Sequence, residues 1–413
     1  MATGGLRAKS RAALSSGATL AAFRVPGYPA LWWSGALTAF GWSASMVAVG
    51  WITLAVSDSA LAVGATFAAR LLPSLLLGIP LGSIVDRFDR RATLVVVNVL
   101  GTASLLAVAG LAVAGQLGLV ELLVLSLGLG IVDTVRGTAG QSYAFDLAGP
   151  EGATNAIALG NLAGHLAGTI GAIAGGVALE HVGLSGPFLL AAVLAGAGAV
   201  VLALSGRRVA NAPATPRLVP SFARSMTLIV RNRLVALIAF VVIVNEVLGF
   251  SSITLLPTFA RDILHTDAAG LGALSAVRSV GSIAGLLLIA RLGFRGRGGA
   301  LFLLATLGSG LALMAFAFST SFGLSLLLLV VVGISWAVLD TLGQSLIQQA
   351  VEDSERGAAM GIWFFAIGFG PFGHLGLGAA ANVIGAPLAL VIDGAILAGL
   401  AVALVSVRSI RRL

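Results

Sequence analysis

The chain has 413 residues, of which 58% are hydrophobic and only 10% are charged. A soluble domain carries about 25% charged residues to wet its surface, so the composition excludes a soluble enzyme, a disordered chain and a nucleic-acid-binding domain. What remains is an all-α integral membrane protein whose net charge of +8 must reside mainly outside the hydrocarbon.

The N-terminal stretch through Arg24 is basic and lacks a long apolar run ending in a cleavage site, so it reads as a retained arm. A spanning helix needs roughly 20 apolar residues. Runs of that length fall at 31–56, 61–84, 92–114, 120–145, 156–179 and 185–205. After a polar segment at 206–233 they resume at 234–257, 270–292, 299–319, 322–350, 357–381 and 387–407. These are spans 1 to 12. The segment 206–233 holds Pro213, Pro216 and Pro220 near the middle of the chain. It divides the sequence into a six-span bundle at 1–205, a linker, and a second bundle at 234–413.

Twelve spans put both termini on one side. Twenty of the 24 Lys and Arg then share that side, Arg261 alone lies on the other, and Arg70, Arg136 and Arg278 fall inside spans. The positive-inside rule makes the rich side cytoplasmic, as expected of a multi-pass protein of the cell membrane.

Rare residues narrow the chemistry. There is no cysteine, and the only lysine, Lys9, follows Ala8, so no phosphate-binding loop of the Gly-Lys-Ser/Thr kind exists. The four histidines, His165, His181, His265 and His374, form no HExxH pattern. No catalytic metal and no cofactor are expected.

Polar residues inside spans recur at one offset. Gly64 and Arg70 match Gly272 and Arg278 after 208 residues; Asp133-Thr134 and Asp146 match Asp340-Thr341 and Asp353 after 207; Gly164-His165 matches Gly373-His374 after 209. Six is an even number, so the halves would repeat in parallel about an axis along the membrane normal. The substrate site would then lie between them near the midplane. The glycines of span 5, including Gly171, Gly175 and Gly176, suit close helix packing.

After span 2 comes Gly82-Ser-Ile-Val-Asp86-Arg87-Phe-Asp-Arg90-Arg91. This resembles the G-x-x-x-D-R-x-x-R-R signature of the major facilitator superfamily, at the loop where that family carries it. The resemblance implies the major facilitator fold and a latch that closes the cytoplasmic side. Asp86 can face the N-terminal end of a neighbouring helix, and Arg87, Arg90 and Arg91 can pair with carboxylates, Asp146 being the nominated partner. Phe23-Arg24, Leu31-Trp32, the Pro73–Pro80 run, Asn155-Ala156-Ile157-Ala158-Leu159, Leu256-Pro257, Arg356-Gly357 and Gly370-Pro371-Phe372-Gly373 are similar to the third drug:proton antiporter family. That family includes enterobactin-exporter-like and macrolide-efflux-like carriers. One departure is Ala172, which stands where antiporters of this type often carry proline in span 5.

An efflux carrier without a nucleotide site needs an ion gradient. Glu246, Asp133 and Asp340 are the proton-coupling candidates, Glu246 first because it lies near the middle of span 7 with no in-helix partner; Asp393 ranks last. Asp133 sits one turn from Arg136, which reads either as a static ion pair or as a switch. Arg70, Arg278, Arg136, His165 and His374 are the substrate-cavity candidates. Two arginines facing one cavity would favour an anionic or electron-rich compound, unless each pairs with a helix end or an acid of its own half. The histidines would relay protons or serve as hydrogen-bonded spacers. The resulting expectation is a monomeric exporter of a small drug- or siderophore-class molecule, exchanging it for protons, with no nucleic-acid partner. An importer or facilitator on the same fold, and a lipid-processing enzyme or scaffold, are the alternatives.

Overall fold

The computed structural model describes residues 20–85, 87–205, 218–292, 297–352 and 355–407, and among them all regular structure is helical. Backbone polar groups in lipid must be satisfied within the segment, which leaves helices as the solution for apolar runs of this length. Eleven helices are long and apolar enough to cross a membrane: Tyr28–Ser57, Ala60–Gly78, Arg90–Val113, Asn155–Val182, Gly186–Leu204, Arg233–Ile263, Ala268–Arg291, Gly298–Ala317, Phe322–Gln349, Arg356–Ile384 and Ala386–Val405. The twelfth expected span, 120–145, is the first arm of a helix assigned over Leu119–Val182. That helix breaks at Gly149, where φ is 68° and ψ 173°, a conformation that glycine adopts without steric cost. Gly130 of the first arm rests on span 2, and Gly171 of the second rests on span 1, so the chain folds back on itself at the break.

Spans 7 and 11 are irregular, each for a readable reason. Span 7 runs as an α-helix over Arg233–Val244, then widens to a π turn at Asn245–Gly249 and tightens to a 3-10 segment at Phe250–Leu255. Ser251 and Ser252 donate to the carbonyls of Val247 and Gly249, bonds that compete with the helical ladder. Pro257 follows without an N–H to offer. Span 11 splits into Arg356–Ile367 and Gly370–Ile384, with Pro371 at the start of the second piece. Both breaks fall mid-span and face each other: a Cβ on Gly370 would come within 3.2 Å of Glu246 Oε1.

Close glycine contacts give the true register of the repeat. A Cβ on Gly130 would strike the Arg70 carbonyl, and one on Gly333 would strike the Arg278 carbonyl. Likewise Gly64 abuts His374 while Gly272 abuts Ala172, and Gly378 abuts Ala60 while Gly176 abuts Ala268. Spans 2 and 8 therefore correspond at 208 residues, as the sequence suggested, but spans 4 and 10 correspond at 203 and spans 5 and 11 at 202. Two expected matches are corrected: the counterpart of Asp133 is Trp336, not Asp340, and the counterpart of His374 is Ala172, not His165. The cause is a length difference. Span 9 has 20 residues against 24 in span 3, and the turn after it is one residue shorter. Asp353 lies outside the described residues.

These contacts predict an effect. Gly130→Ala and Gly333→Ala must push a helix away from a neighbouring backbone, which costs about 1–3 kcal/mol. Both variants should melt earlier in detergent, followed by gel filtration after heating. Gly128→Ala, where a Cβ meets nothing within 4 Å, should match the parent.

The two halves meet through spans 5 and 8 and spans 2 and 11. Their polar contacts cluster at the end opposite the arginine-rich loops. There Asn382 Oδ1 accepts from the Leu61 N–H (3.2 Å) and its Nδ2 donates to Ser59 (2.8 Å). Arg261 donates to the Leu54 carbonyl (3.2 Å) and pairs with Asp58. At the basic end, Arg233–Val244 and Arg356–Ile367 pack on span 10 within their own half. Among the described residues, the polar contacts between the halves thus lie at one end. Within the expected linker, Leu218–Arg231 forms a helix against the start of span 11, where Ser225 donates to the Ala358 carbonyl (2.8 Å). Asn232 then caps span 7 by accepting from the N–H groups of Leu234 and Val235 (3.1 and 3.2 Å).

Candidate functional site

Each half carries one buried charge cluster near mid-span. In the first, Arg70 of span 2 donates from Nε to Asp133 Oδ2 of span 4 (3.0 Å), and Arg136 donates from Nη1 to Asp133 Oδ1 (2.8 Å). One carboxylate therefore serves two guanidinium groups. Arg136 also donates to Asn98 Oδ1 of span 3 (3.0 Å), and Asn98 passes a bond to Ser34 of span 1 (3.2 Å). Arg70 reaches Ser45 Oγ (3.3 Å) and lies 5.7 Å from the centre of the Trp42 ring. The network ties four spans together, and Arg70 is only 5% exposed. Asp133, a proton-coupling candidate, is thus engaged on both oxygens. The switch and static readings of Asp133–Arg136 now include a third member, Arg70.

The second cluster has the same arginine and a different environment. Arg278 of span 8 lies 5.2 Å from the Phe250 ring centre and donates to the Phe250 carbonyl (3.3 Å). Phe250 stacks on Trp336, centroids 5.3 Å apart. Trp336 occupies the position that Asp133 holds in the first half, so an aromatic ring replaces the acid. Arg278 Nη1 is buried without a hydrogen-bond partner among the described residues. Glu246 lies within electrostatic reach of Arg278 and of Asp340. Glu246, Asp340, Asn245 and Trp336 line one small pocket enclosed by Val242, Phe302, Leu339 and Ile367. No ion pair among the described residues includes Glu246 or Asp340. Two of the three acids nominated for proton coupling therefore share a pocket, and the third belongs to the other half.

The remaining candidates separate. His374 is 1% exposed, hydrogen-bonded to Thr254 (Oγ1 to Nδ1, 2.6 Å), with the rings of Phe67 and Phe250 edge-on beside it. That is the setting of a spacer between spans 2, 7 and 11. His165 is partly exposed in the basic-end half of span 5, apart from His374. Of the latch residues, Arg90 pairs with Asp146, and Arg91 donates to the Leu202 carbonyl at the end of span 6 (2.8 Å) and to that of Ala203. Asp89 caps span 3 by accepting from Ala92 (2.7 Å). Arg87 is exposed and Gly82 lies in the span 2 helix. Asp86 lies outside the described residues. The Arg90–Asp146 pair joins spans within the first half rather than bridging the halves.

Sequence reasoning missed Asn98, Ser34, Phe250 and Asn245, and it left Trp42 and Trp336 as either interface anchors or cavity lining. One signal was available: Trp42 and Phe250 stand 208 residues apart, the same offset as the arginines they flank. The residues noted for their family resemblance also come together. Asn155 Oδ1 accepts from the Ala22 N–H (3.2 Å), Tyr28 donates to the Ala156 carbonyl (2.6 Å) and Trp32 to the Leu159 carbonyl (3.0 Å). These bonds pin the start of span 1 to the start of span 5.

Comparison with known proteins fits this architecture. The chain is similar in fold to the nucleoside transporter NupG (TM-score 0.73, 14% identity, covering 92% of this chain and 98% of that one). It is also similar to a bacterial homologue of the human lysosomal transporter Spinster in an inward-facing, unoccupied conformation (0.71, 15%, 93% and 95%). A POT family transporter in complex with 5-aminolevulinic acid is comparable (0.73, 14%, 93% and 96%). At these identities the likeness is one of fold. No curated protein matches the chain in sequence. A family model described as transmembrane secretion effector matches residues 17–412, and the chain accordingly belongs to that family of membrane transporters, built on the major facilitator fold.

Proposed function

We propose that the protein exports a small amphipathic molecule of the drug or siderophore class in exchange for protons, by rocking bundles 1–205 and 234–413 against each other about the linker 206–233. The observation that carries this reading is the pocket of the second half. There Glu246 sits on the π turn of span 7 beside Asp340, with no ion pair, facing the break in span 11. A π turn within a spanning helix is a frequent mark of a working site, and an intramembrane acid without a static partner is free to exchange a proton. The engaged cluster of the first half supplies rigidity instead, with Asp133 as its anchor. In this reading Arg70, Arg136, Arg278, His165 and His374 border or brace the substrate path, and Arg90–Asp146 belongs to the latch.

The excess of arginines at one end supports a cell-membrane orientation with both termini cytoplasmic. The polar contacts between the halves at the opposite end then support an inward-open form, ready to load from the cytoplasm. No cofactor or metal enters the mechanism, and a monomer contains both halves of the path. Export and import differ in a direct test. Inside-out vesicles with an acidified interior should accumulate a substrate found by screening labelled compounds, and collapsing the gradient should release it. Accumulation only in right-side-out vesicles would make the protein an importer.

A further inference from the structure

A groove of about 1040 Å³ opens at the basic end, between the end of the linker helix, the start of span 7 and the end of span 12. It is unrelated to the mid-span clusters. Its mouth carries Arg231 and Arg233, both exposed, and neither makes an ion pair among the described residues. Its wall continues through Leu237, Phe240 and Leu404. From Arg233 to Phe240 a helix rises about 10 Å, which carries the groove from the membrane boundary into the hydrocarbon. Phe240 is 51% exposed along this wall. One carboxylate, Glu355, also lines the groove, so the mouth keeps a net positive charge of one.

We propose that this groove binds an anionic phospholipid, its phosphate held by Arg231 and Arg233 and an acyl chain lying along Leu237, Phe240 and Leu404. Three features favour a lipid over a soluble anion. The charge stands at the start of the apolar span Arg233–Ile263, a basic site at the end of a span attracts anionic headgroups, and the wall beyond it is apolar, with Phe240 half exposed. The linker helix that ends at Arg231 connects the two halves, so a lipid seated here fastens the linker to the second bundle.

The test uses the full-length protein in detergent, with phosphatidylglycerol and phosphatidylcholine of identical acyl chains as probes, and native mass spectrometry as the readout. Phosphatidylglycerol should be retained roughly tenfold more tightly, the effect expected of one to two interfacial arginines. Salt should erode that preference in the unaltered protein. The double variant Arg231→Gln/Arg233→Gln should level the two lipids, and Phe240→Ala should weaken both. Equal retention of the two lipids by the unaltered protein would overturn the proposal. So would a phosphatidylglycerol preference that survives the double substitution. Complete displacement by inorganic phosphate would show a simple anion site and overturn it as well.

Discussion

Glu246→Gln is expected to reduce uphill accumulation of a substrate from nearly fiftyfold to none, while exchange across vesicles without a gradient continues. A proton falling through about 100 mV supplies roughly 2.3 kcal/mol, and each 1.4 kcal/mol is a factor of ten in concentration. Those figures set the fiftyfold ceiling for one proton per substrate. Glutamine keeps the size and the hydrogen-bonding edge of the side chain on the Asn245–Gly249 turn but has no proton to exchange. Packing against Gly370 survives, so the rocking motion should survive too. The measurement is paired uptake in proteoliposomes, with an imposed pH gradient in one set and counterflow in the other. Asp340→Asn is the necessary companion because Asp340 lines the same pocket. If Glu246→Gln retains accumulation and Asp340→Asn loses it, the proton travels on Asp340. If both retain it, the pocket does not couple transport to protons.

The residues that made the fold legible were those whose environment is set by the bilayer. Apolar run length marked the spans and separated spans 4 and 5 around Gly149, and arginine placement marked one end, whereas the breaks within spans 7 and 11 came only from the structure. The charge clusters were legible in part. Asp133–Arg136 could be read because three residues along a helix place two side chains on one face. Arg70–Asp133 could not, because it depends on which faces of spans 2 and 4 meet, and small residues such as Gly130 decide that. The repeat misled for a related reason. Asp-Thr pairs and Gly-His pairs coincide at offsets near half the chain length, whereas structural equivalence is set where helices touch. A span shortened by one helical turn shifted every later match by about that amount, and so put Trp336 opposite Asp133. Whether the two arginines face one cavity or each pairs within its own half could not be read from the offsets. The structure gives Arg70 an acid of its own half and Arg278 an aromatic face.

That difference between the halves leads to the last expectation. Asp133→Asn should be strongly destabilising, whereas Asp340→Asn should not. Removing Asp133 leaves Arg70 and Arg136 facing each other without an anion, at side-chain exposures of 4% and 20%. Breaking a buried pair by deleting one partner costs about 3–5 kcal/mol because the remaining charge is stranded. Against a typical stability of roughly 5–15 kcal/mol, that loss should show as poor accumulation in the membrane and an early melting midpoint. Adding Arg136→Gln to Asp133→Asn restores the net charge of the cluster to +1, and the double variant should be more stable than the single one. The resulting double-mutant cycle isolates the coupling between the two residues. Asp340 has no ion-pair partner to strand, so its neutral variant should melt near the parent. If Asp133→Asn matched the parent in stability, the cluster would not be a brace. Asp133 would then return as a proton carrier, and the assignment of rigidity to the first half and coupling to the second would fail.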